Sequence, residues 1–431
     1  MARIVIIGGG IAGISCARAL ETAGADWQVL ECSDALGGRV RTDVVGGFRL
    51  DRGFQVYLTA YRAVGEFVDE RSLGLRHFTS GAMVFDGRGF ARIVHPLRDP
   101  VGAVRGVLSR PSMALDLARL APMALSAMRT PAERPGAPEG STRALLGRMD
   151  IGEATVDGFL RSFFGGVFLD RSLETDASQF RFTFSNFARG DASVPAHGMG
   201  ELPRHLAAPL PAHRIRLNTR VSAVAHHAHG ATVRTAGGDE IAADAVVIAA
   251  DMDAAHALDP RIPARRWCAT TTMHWACEAR ALPGPMREPI LFLDGTGGGP
   301  VNHAACMSSV SADYAPAGMA LVSLSCVDAG PGDGGLAALV ARTSAQMDRW
   351  FGRGAMAGWR LLRTDRILRA LPLRHAPSID PSVTWSPATT VQSSTTGAGR
   401  AARSGACCRG SARRLRSVRR RRPPALAPRP P

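Results

Sequence analysis

Lysine is missing from this chain altogether: all 52 of its basic residues are arginine. That excludes any covalent intermediate built on a lysine amine, such as a Schiff base. Eight cysteines are scattered (Cys16, Cys32, Cys268, Cys277, Cys306, Cys326, Cys407, Cys408) with no C-x-x-C pair. This spacing argues against zinc, an iron–sulfur cluster or a disulfide framework, and fits a reducing cytoplasm. No 18-residue apolar run is free of charge, so no transmembrane helix is expected. The first strand begins near residue 2, so no signal peptide is expected. Neither an internal repeat nor a Ser-His-Asp pattern stands out, and no metal motif is expected. Three histidines, His226, His227 and His229, sit together before Gly230, but they read as a hairpin loop between Val221–Val224 and Thr232–Arg234.

Acidic residues end at Asp380 and aromatic residues at Trp385. Eleven arginines beyond residue 390 supply most of the formal +15, leaving about +4 for everything before them. The basic balance therefore describes a tail rather than the body. Nucleic-acid binding usually needs a folded platform or interleaved aromatics, which this tail lacks, so no specific nucleic acid is expected as a partner. What remains is a 431-residue chain with 45% apolar content, enough for two interleaved domains with real cores.

The chain opens with Arg3-Ile-Val-Ile-Ile, an apolar β-branched run that reads as a buried parallel strand. Gly8-Gly9-Gly10-Ile11-Ala12-Gly13 follows at once, then a helix over 11–22 and a second strand over Trp27–Leu30 that ends at Glu31. Each part has a job on one dinucleotide. Gly8 permits the tight turn, Gly10 lets backbone approach a pyrophosphate, and Gly13 lets helix and strand pack closely. The phosphates then rest on the helix N-terminus at Ile11 and Ala12. Glu31 accepts from the ribose hydroxyls and repels a 2′-phosphate, which argues against NADP. The fingerprint alone fits NAD or FAD. Leu36-Gly37-Gly38-Arg39-Val40-Arg41-Thr42 separates them: two glycines let a second loop close over the phosphates, and Arg39 adds a forked cation there.

With that segment the chain resembles the superfamily of FAD-dependent amine oxidases, protoporphyrinogen oxidases and phytoene desaturases. Further segments follow in the family's order. Leu50-Asp51-Arg52-Gly53-Phe54-Gln55 is similar to the Asp-x-Gly segment near the flavin ring. Pro195-Ala196-His197-Gly198-Met199-Gly200 resembles a Pro-x-Gly-Gly-Met segment, with His197 where glycine is usual. Leu217–Val221 resembles the segment whose valine backbone meets the adenine, and Ala243–Ala250 the strand that returns to the FAD sheet. The resemblance covers most of residues 2–385. It implies FAD as cofactor, with Gly53, Phe54 and Val221 added to the contacts above. It also implies Asp51, Arg52 and Gln55 as polar groups near the ring, without naming a catalytic base. Many true amine oxidases hold a water at flavin N5 with a lysine; here none is available, which favours dehydrogenation of a carbon skeleton.

The expected fold is α/β: a Rossmann-like, doubly wound FAD-binding domain with an inserted mixed α+β substrate domain. The FAD domain draws on residues 1–70 and 191–255; the substrate domain on 71–190 and 256–372; residues 373–390 return toward the FAD domain. Residues 391–431 form an Arg/Pro-rich tail. The family closes with a Gly-Asp and a small-residue helix that are not found there, yet a shifted frame can spell such a segment, so the tail reads as a frameshift between about 385 and 395. The expected activity is hydride removal from an apolar or cyclic substrate, isoprenoid- or porphyrinogen-like, to flavin N5. The alternatives are a flavin amine oxidase, a flavin-poor product of the broken frame, and an NAD-binding protein with an RNA-binding tail. Two amphipathic helices over 96–135, parted at Arg110-Pro111, read as a lid or as a peripheral membrane face for a cytoplasmic protein. Asp170, Arg171 and Glu174 read as a salt-bridged helix start. Trp275, Phe292 and Met307 read as core or as the wall of an apolar cavity.

Overall fold

The computed structural model describes residues 3–61, 67–95, 98–109, 111–129, 139–327, 335–373, 384–386 and 389–391. The chain falls into two units. Within these residues the first comprises segments up to Gly38, from Leu206 to Pro263, and the strands beyond 381. The second comprises Arg39–His205 and the segment from Ala264.

The first unit is built on a six-stranded sheet. Strand β1 (Arg3–Ile7) lies at its centre, parallel to β2 (Asp26–Leu30) on one side and to Ala245–Ile248 on the other. Ile4, Val5, Ile6 and Ile7 are all buried, as a strand covered on both faces requires. Ile215–Arg216 extends the sheet beyond β2, and Thr389–Val391 extends it beyond Ala245–Ile248, again in parallel. Helix α1 (Ile11–Thr22) connects β1 to β2 and buries Ile14, Cys16, Ala17 and Leu20. A three-stranded antiparallel sheet (Val221–His227, Gly230–Thr235, Glu240–Ala243) completes the unit. His226 and His227 end its first strand, and the hairpin turns just beyond them.

The second unit carries a seven-stranded sheet in the order Arg360–Pro372, Trp267–Glu278, Met319–Val327, His303–Cys306, Leu291–Asp294, Gly81–Phe85, Phe90–Val94. Its two long central strands alternate strictly. Met273, Trp275 and Cys277 join Val322, Leu324 and Cys326 in a core closed by Leu339, Met347 and Trp350 of the helix Gly335–Phe351. The opposite face carries Thr272, His274, Ser323 and Ser325, also buried. A helical layer (Thr142–Arg148, Arg161–Phe168, Ala177–Arg189) packs its own aromatic core around Phe164, Phe168 and Phe180.

Several boundaries differ from the sequence expectation. The first segment of the sheet unit ends at Gly38 rather than 70, and its second begins at Leu206 rather than 191. The hairpin Thr42–Val45/Phe48–Asp51 belongs with Met199 and Gly200, because the Asp51 carboxylate and the Thr42 hydroxyl accept from their backbone N–H groups. Among the described residues between 96 and 135 there are three helices, not two: Pro100–Ser109, Pro111–Arg119 and Ala121–Arg129. Pro122 sits in the first turn of the third, where a missing N–H costs little. Asp170 caps a turn by accepting from Ser172 and Thr175, and the next helix starts instead at its Asp176 cap. The tail from 392 onward, with the proposed frameshift, lies outside the described residues.

Candidate active site

In the first unit the glycine loop is shaped by close approach. Gly8 leaves β1 with φ +105°, and a Cβ there would lie 2.7 Å from the Ala249 carbonyl oxygen. A Cβ on Gly13 would stand only 1.9 Å from the Gly8 carbonyl oxygen, so α1 reaches β1 only through glycine. Gly10 is the N-cap of α1 and offers no side chain, and the first turn holds no acidic residue. The amides at Ile11 and Ala12 thus meet no capping side chain, which is the environment a phosphate requires. The second glycine loop docks on the first: Gly37 N–H donates to Gly9 O at 2.9 Å, and Gly38 Cα lies 4.0 Å from where a Gly10 Cβ would stand.

Glu31 ends β2 beside these loops with a buried carboxylate. It accepts from the Gly9 amide at 2.5 Å and from the Ser33 amide and hydroxyl at 2.8 and 2.6 Å. Burial would raise its pKa, but the hydrogen bonds from Ser33 and Gly9 outweigh that and hold it below the ordinary carboxylate value. It is therefore ionised at neutral pH, ready to accept from ribose hydroxyls. Val221 opens the strand Val221–His227, partly buried. Close glycine backbones, an uncapped helix start and an ionised carboxylate at the second strand's tip fit the phosphates and ribose of a dinucleotide.

In the second unit, Arg39 donates from Nη1 to the Ala370 carbonyl at 2.8 Å and lies over the Trp267 ring at 5.8 Å. Its guanidinium is thus held by backbone and an aromatic face, a use that the expected phosphate role did not include. Under the segment Asp51–Gln55 lies a tight cleft with no room for a water molecule. Asp51, Gly53, Phe54 and Gln55 line one side. His274 and Ser323 come from the sheet, with Leu321, and Met307, Tyr314 and Arg49 complete the wall. Gly53 has φ +84°, and a Cβ there would approach the Ile367 side chain to 2.8 Å, so the segment passes close over the sheet only as glycine.

Asp51 is fully enclosed and accepts from Tyr314 OH at 2.7 Å, Thr42 OH at 2.5 Å and Met199 N–H at 2.9 Å. Burial nevertheless pushes its pKa up, beyond what these donors restore. Gln55 spends its amide N–H on the carbonyls of Arg39 and Arg52, fixing the loop. Arg52 turns away from the cleft to Asp43, with Nε 2.9 Å from Oδ2. Of the three polar residues implied near the ring, two therefore line the cleft and the third braces its rim.

Three further groups form a chain that the sequence did not reveal. Ser323 Oγ is 3.1 Å from His274 Nδ1, and His274 Nε2 is 3.2 Å from Asp365 Oδ2. Arg363 Nη2 donates to the same Asp365 oxygen at 2.8 Å, and its Nη1 pairs with Asp43 at 2.7 Å. Burial would raise the Asp365 carboxyl, but His274 and Arg363 outweigh it and hold it below the ordinary value. The expectation that no Ser-His-Asp arrangement exists is thus corrected: strand pairing places His274 opposite Ser323 and next to the Asp365 strand, although the three are far apart in sequence. The sequence offered little signal, because Thr270, Thr271 and Thr272 are consecutive buried polar residues and no period-2 pattern marks the face that carries His274. Met307 lines the cleft, whereas Trp275 and Phe292 belong to the core on the opposite face. Among the described residues no His/Cys/Asp/Glu cluster could hold a metal.

Comparison with known proteins now bears on both units. The family model for flavin-containing amine oxidoreductases matches residues 11–360. Among curated proteins, polyamine oxidase 2 of Arabidopsis thaliana is 50% identical over 50 residues, 12% of this chain and 10% of that protein. Carotenoid 3,4-desaturase of Haloarcula japonica is 47% identical over 55 residues, 13% of this chain and 11% of that one. These matches thus span only about a tenth of each relative's length. Whole-chain likeness is found among solved structures. A putrescine oxidase bound to putrescine superposes with TM-score 0.71 at 17% identity, over 96% of this chain and 99% of the other. A putative protoporphyrinogen oxidase from Exiguobacterium gives TM-score 0.69 at 18% identity, over 95% and 98%. At such identities the likeness establishes the fold, a Rossmann-like α/β architecture, while the family model carries the assignment. The chain belongs to the flavin-containing amine oxidoreductases.

Proposed function

We propose that this chain oxidises a substrate with an apolar or cyclic body, isoprenoid- or porphyrinogen-like, by hydride transfer to FAD. FAD supplies the hydride acceptor; the protein positions the substrate and excludes water. In the first unit we assign the phosphates and ribose to Gly8, Gly10, Ile11, Ala12, Gly13, Glu31, Gly37 and Gly38, and the adenine side to Val221. In the second unit Arg39, Gly53 and Phe54 are assigned by resemblance alone. The observation that carries the reading is the glycine cradle of Gly8, Gly10 and Gly13 ending at the ionised Glu31, which fits a dinucleotide; the apolar substrate body rests on the resemblance. The absence of lysine weighs against the amine oxidases that use one.

The test is the visible absorption spectrum of the full chain purified as it stands. A bound oxidised-flavin spectrum is expected, bleached on adding a substrate of this class. A colourless protein that takes up no added FAD contradicts the proposal and supports a flavin-poor product of a broken frame.

A second observation concerns where such a substrate comes from. Of the ten large hydrophobic residues exposed on the described surface, five lie on the three helices between 100 and 129: Val101, Val104, Leu115, Leu125 and Met128. Among the described residues no helix is long and apolar enough to cross a membrane. We propose that these helices rest on a lipid surface facing the cytoplasm, with Arg105 and Arg129 near the headgroups. Co-sedimentation with vesicles containing anionic phospholipid is expected, falling at least about tenfold when Val101, Val104 and Leu115 are all replaced by Asp, with flavin content unchanged. Equal sedimentation of the two proteins contradicts it.

A further inference from the structure

The Glu31 carboxylate is crowded with donors. Oε2 accepts from the Gly9 amide, and Oε1 from both the amide and the hydroxyl of Ser33. The Cys32 thiol adds a weak contact to Oε1 at 3.5 Å. A carboxylate offers about four lone-pair sites, shared equally by its oxygens. Among the described residues the strong donors therefore fill Oε1 and leave one site open on Oε2. A ribose with both hydroxyls free needs a site on each oxygen.

One donor must yield, and the surroundings show which can. The Ser33 amide is held by backbone on both sides: Glu31 N–H donates to the Arg216 carbonyl at 2.9 Å, Glu31 O accepts from Thr219 N–H at 2.8 Å, and Ser33 O accepts from Asn218 N–H at 2.9 Å. Gly9 is held through its own carbonyl by Gly37 N–H at 2.9 Å. The Ser33 hydroxyl has a second acceptor within reach. Its Oγ lies 2.6 Å from Glu31 Oε1 and 2.9 Å from the Ala35 carbonyl oxygen. It carries one proton, so full donation reaches one acceptor at a time. Turning the O–H about the Cβ–Oγ bond exchanges the two without moving a heavy atom.

We propose that Ser33 is a switchable positioning residue for the cofactor's ribose. In the free chain its hydroxyl donates to Oε1 and keeps the buried carboxylate satisfied and oriented. When a ribose with both hydroxyls free arrives, the Ser33 hydroxyl turns to the Ala35 carbonyl and releases that site. This rests on the assignment of Glu31 to the ribose made above, and is independent of which substrate is oxidised. The turn trades a charge-assisted hydrogen bond for a neutral one, so Ser33 lowers the affinity for a diol. A ribose with a single hydroxyl uses the open site on Oε2 and leaves Ser33 where it is.

The test is equilibrium dialysis of the full chain against ADP, whose ribose is that of the adenosine half of FAD, and against 2′-deoxy-ADP. It requires neither flavin nor turnover. Ser33→Ala is expected to bind ADP about fivefold more tightly than wild type, the gap between a charge-assisted and a neutral hydrogen bond. Its affinity for 2′-deoxy-ADP is expected to equal that of wild type, because there the serine bond is present, or absent, before and after binding alike. Looser binding of ADP by S33A, or the same change for both nucleotides (no change included), overturns the switch. Glu31→Gln separates this from failure of the ribose assignment: it is expected to lose the preference for ADP over 2′-deoxy-ADP. A preference that survives E31Q, or a wild-type chain that binds no ADP, overturns that assignment and the switch with it.

Discussion

Alanine at Gly13 is expected to give a protein without bound flavin. Its Cβ would stand 1.9 Å from the Gly8 carbonyl oxygen, an atom of the loop's own backbone that no side-chain rotation can move. Either α1 withdraws from β1 or the Gly8 turn opens, and both changes move the amides at Ile11 and Ala12 away from a phosphate. Forcing one extra carbon into packed structure costs about 1–3 kcal/mol, and more where backbone must yield. Flavin content, read as the ratio of visible to ultraviolet absorbance, is expected to fall at least about tenfold. Gly147, in the helix Thr142–Arg148, is the matched control: nothing lies within 4 Å of its Cβ position. Gly147→Ala is expected to keep its flavin and gain about 0.5–1 kcal/mol. Full flavin in G13A contradicts the close contact.

The second large effect belongs to Asp51. Its carboxylate collects Tyr314, Thr42 and the Met199 amide, tying the Thr42–Asp51 hairpin to two other segments. Asp51→Ala strands three buried donors, each costing about 1–3 kcal/mol, so a loss of about 4 kcal/mol is expected. Denaturant unfolding with an unchanged slope is the measurement; a midpoint equal to wild type contradicts the anchor. Asp51→Asn isolates the charge. Burial raises the folded-state pKa above the ordinary 3.8, so the folded protein binds this proton more tightly than the unfolded one. The Asp51 contribution is then full below 3.8 and is lost as pH rises through the folded value. Wild type is therefore expected to gain on D51N as the pH falls. A gap between the two that is constant with pH means that the carboxyl is not desolvated.

How much of this was legible beforehand depends on sequence separation. The dinucleotide cradle spans Gly8 to Gly38, and local rules suffice there: strand, glycine turn, helix, strand and acidic tip lie in reading order. The Ser323–His274–Asp365 chain could not be read in that way, because its members meet through strand register. A one-residue slip between Trp267–Glu278 and Met319–Val327 would turn His274 and Ser323 to opposite faces. Nor did alternation mark the face, because Thr270, Thr271 and Thr272 are all polar and all buried. Arg39 teaches the converse: the motif located the residue, but its carbonyl and Trp267 partners come from strands more than two hundred positions away.

His303 gives the molecule a practical handle. Burial lowers its pKa to about 4, so the ring is neutral at physiological pH. Asn302 Nδ2 donates to the Ser162 carbonyl at 2.8 Å, which orients the amide and leaves the other N–H toward His303 Nδ1 at 3.2 Å. The ring proton therefore resides on Nε2, and that N–H finds no acceptor among the described residues, with the Phe54 ring edge-on at 4.7 Å. A donor in that state leaves stabilisation uncollected. Any small molecule that brings it a carbonyl or ether oxygen collects it, and the gain adds to whatever mass action provides. Melting temperature thus becomes a search instrument: a library ranked by thermal shift, repeated on His303→Phe, would sort compounds that reach this nitrogen from those that bind elsewhere, with no turnover assay needed.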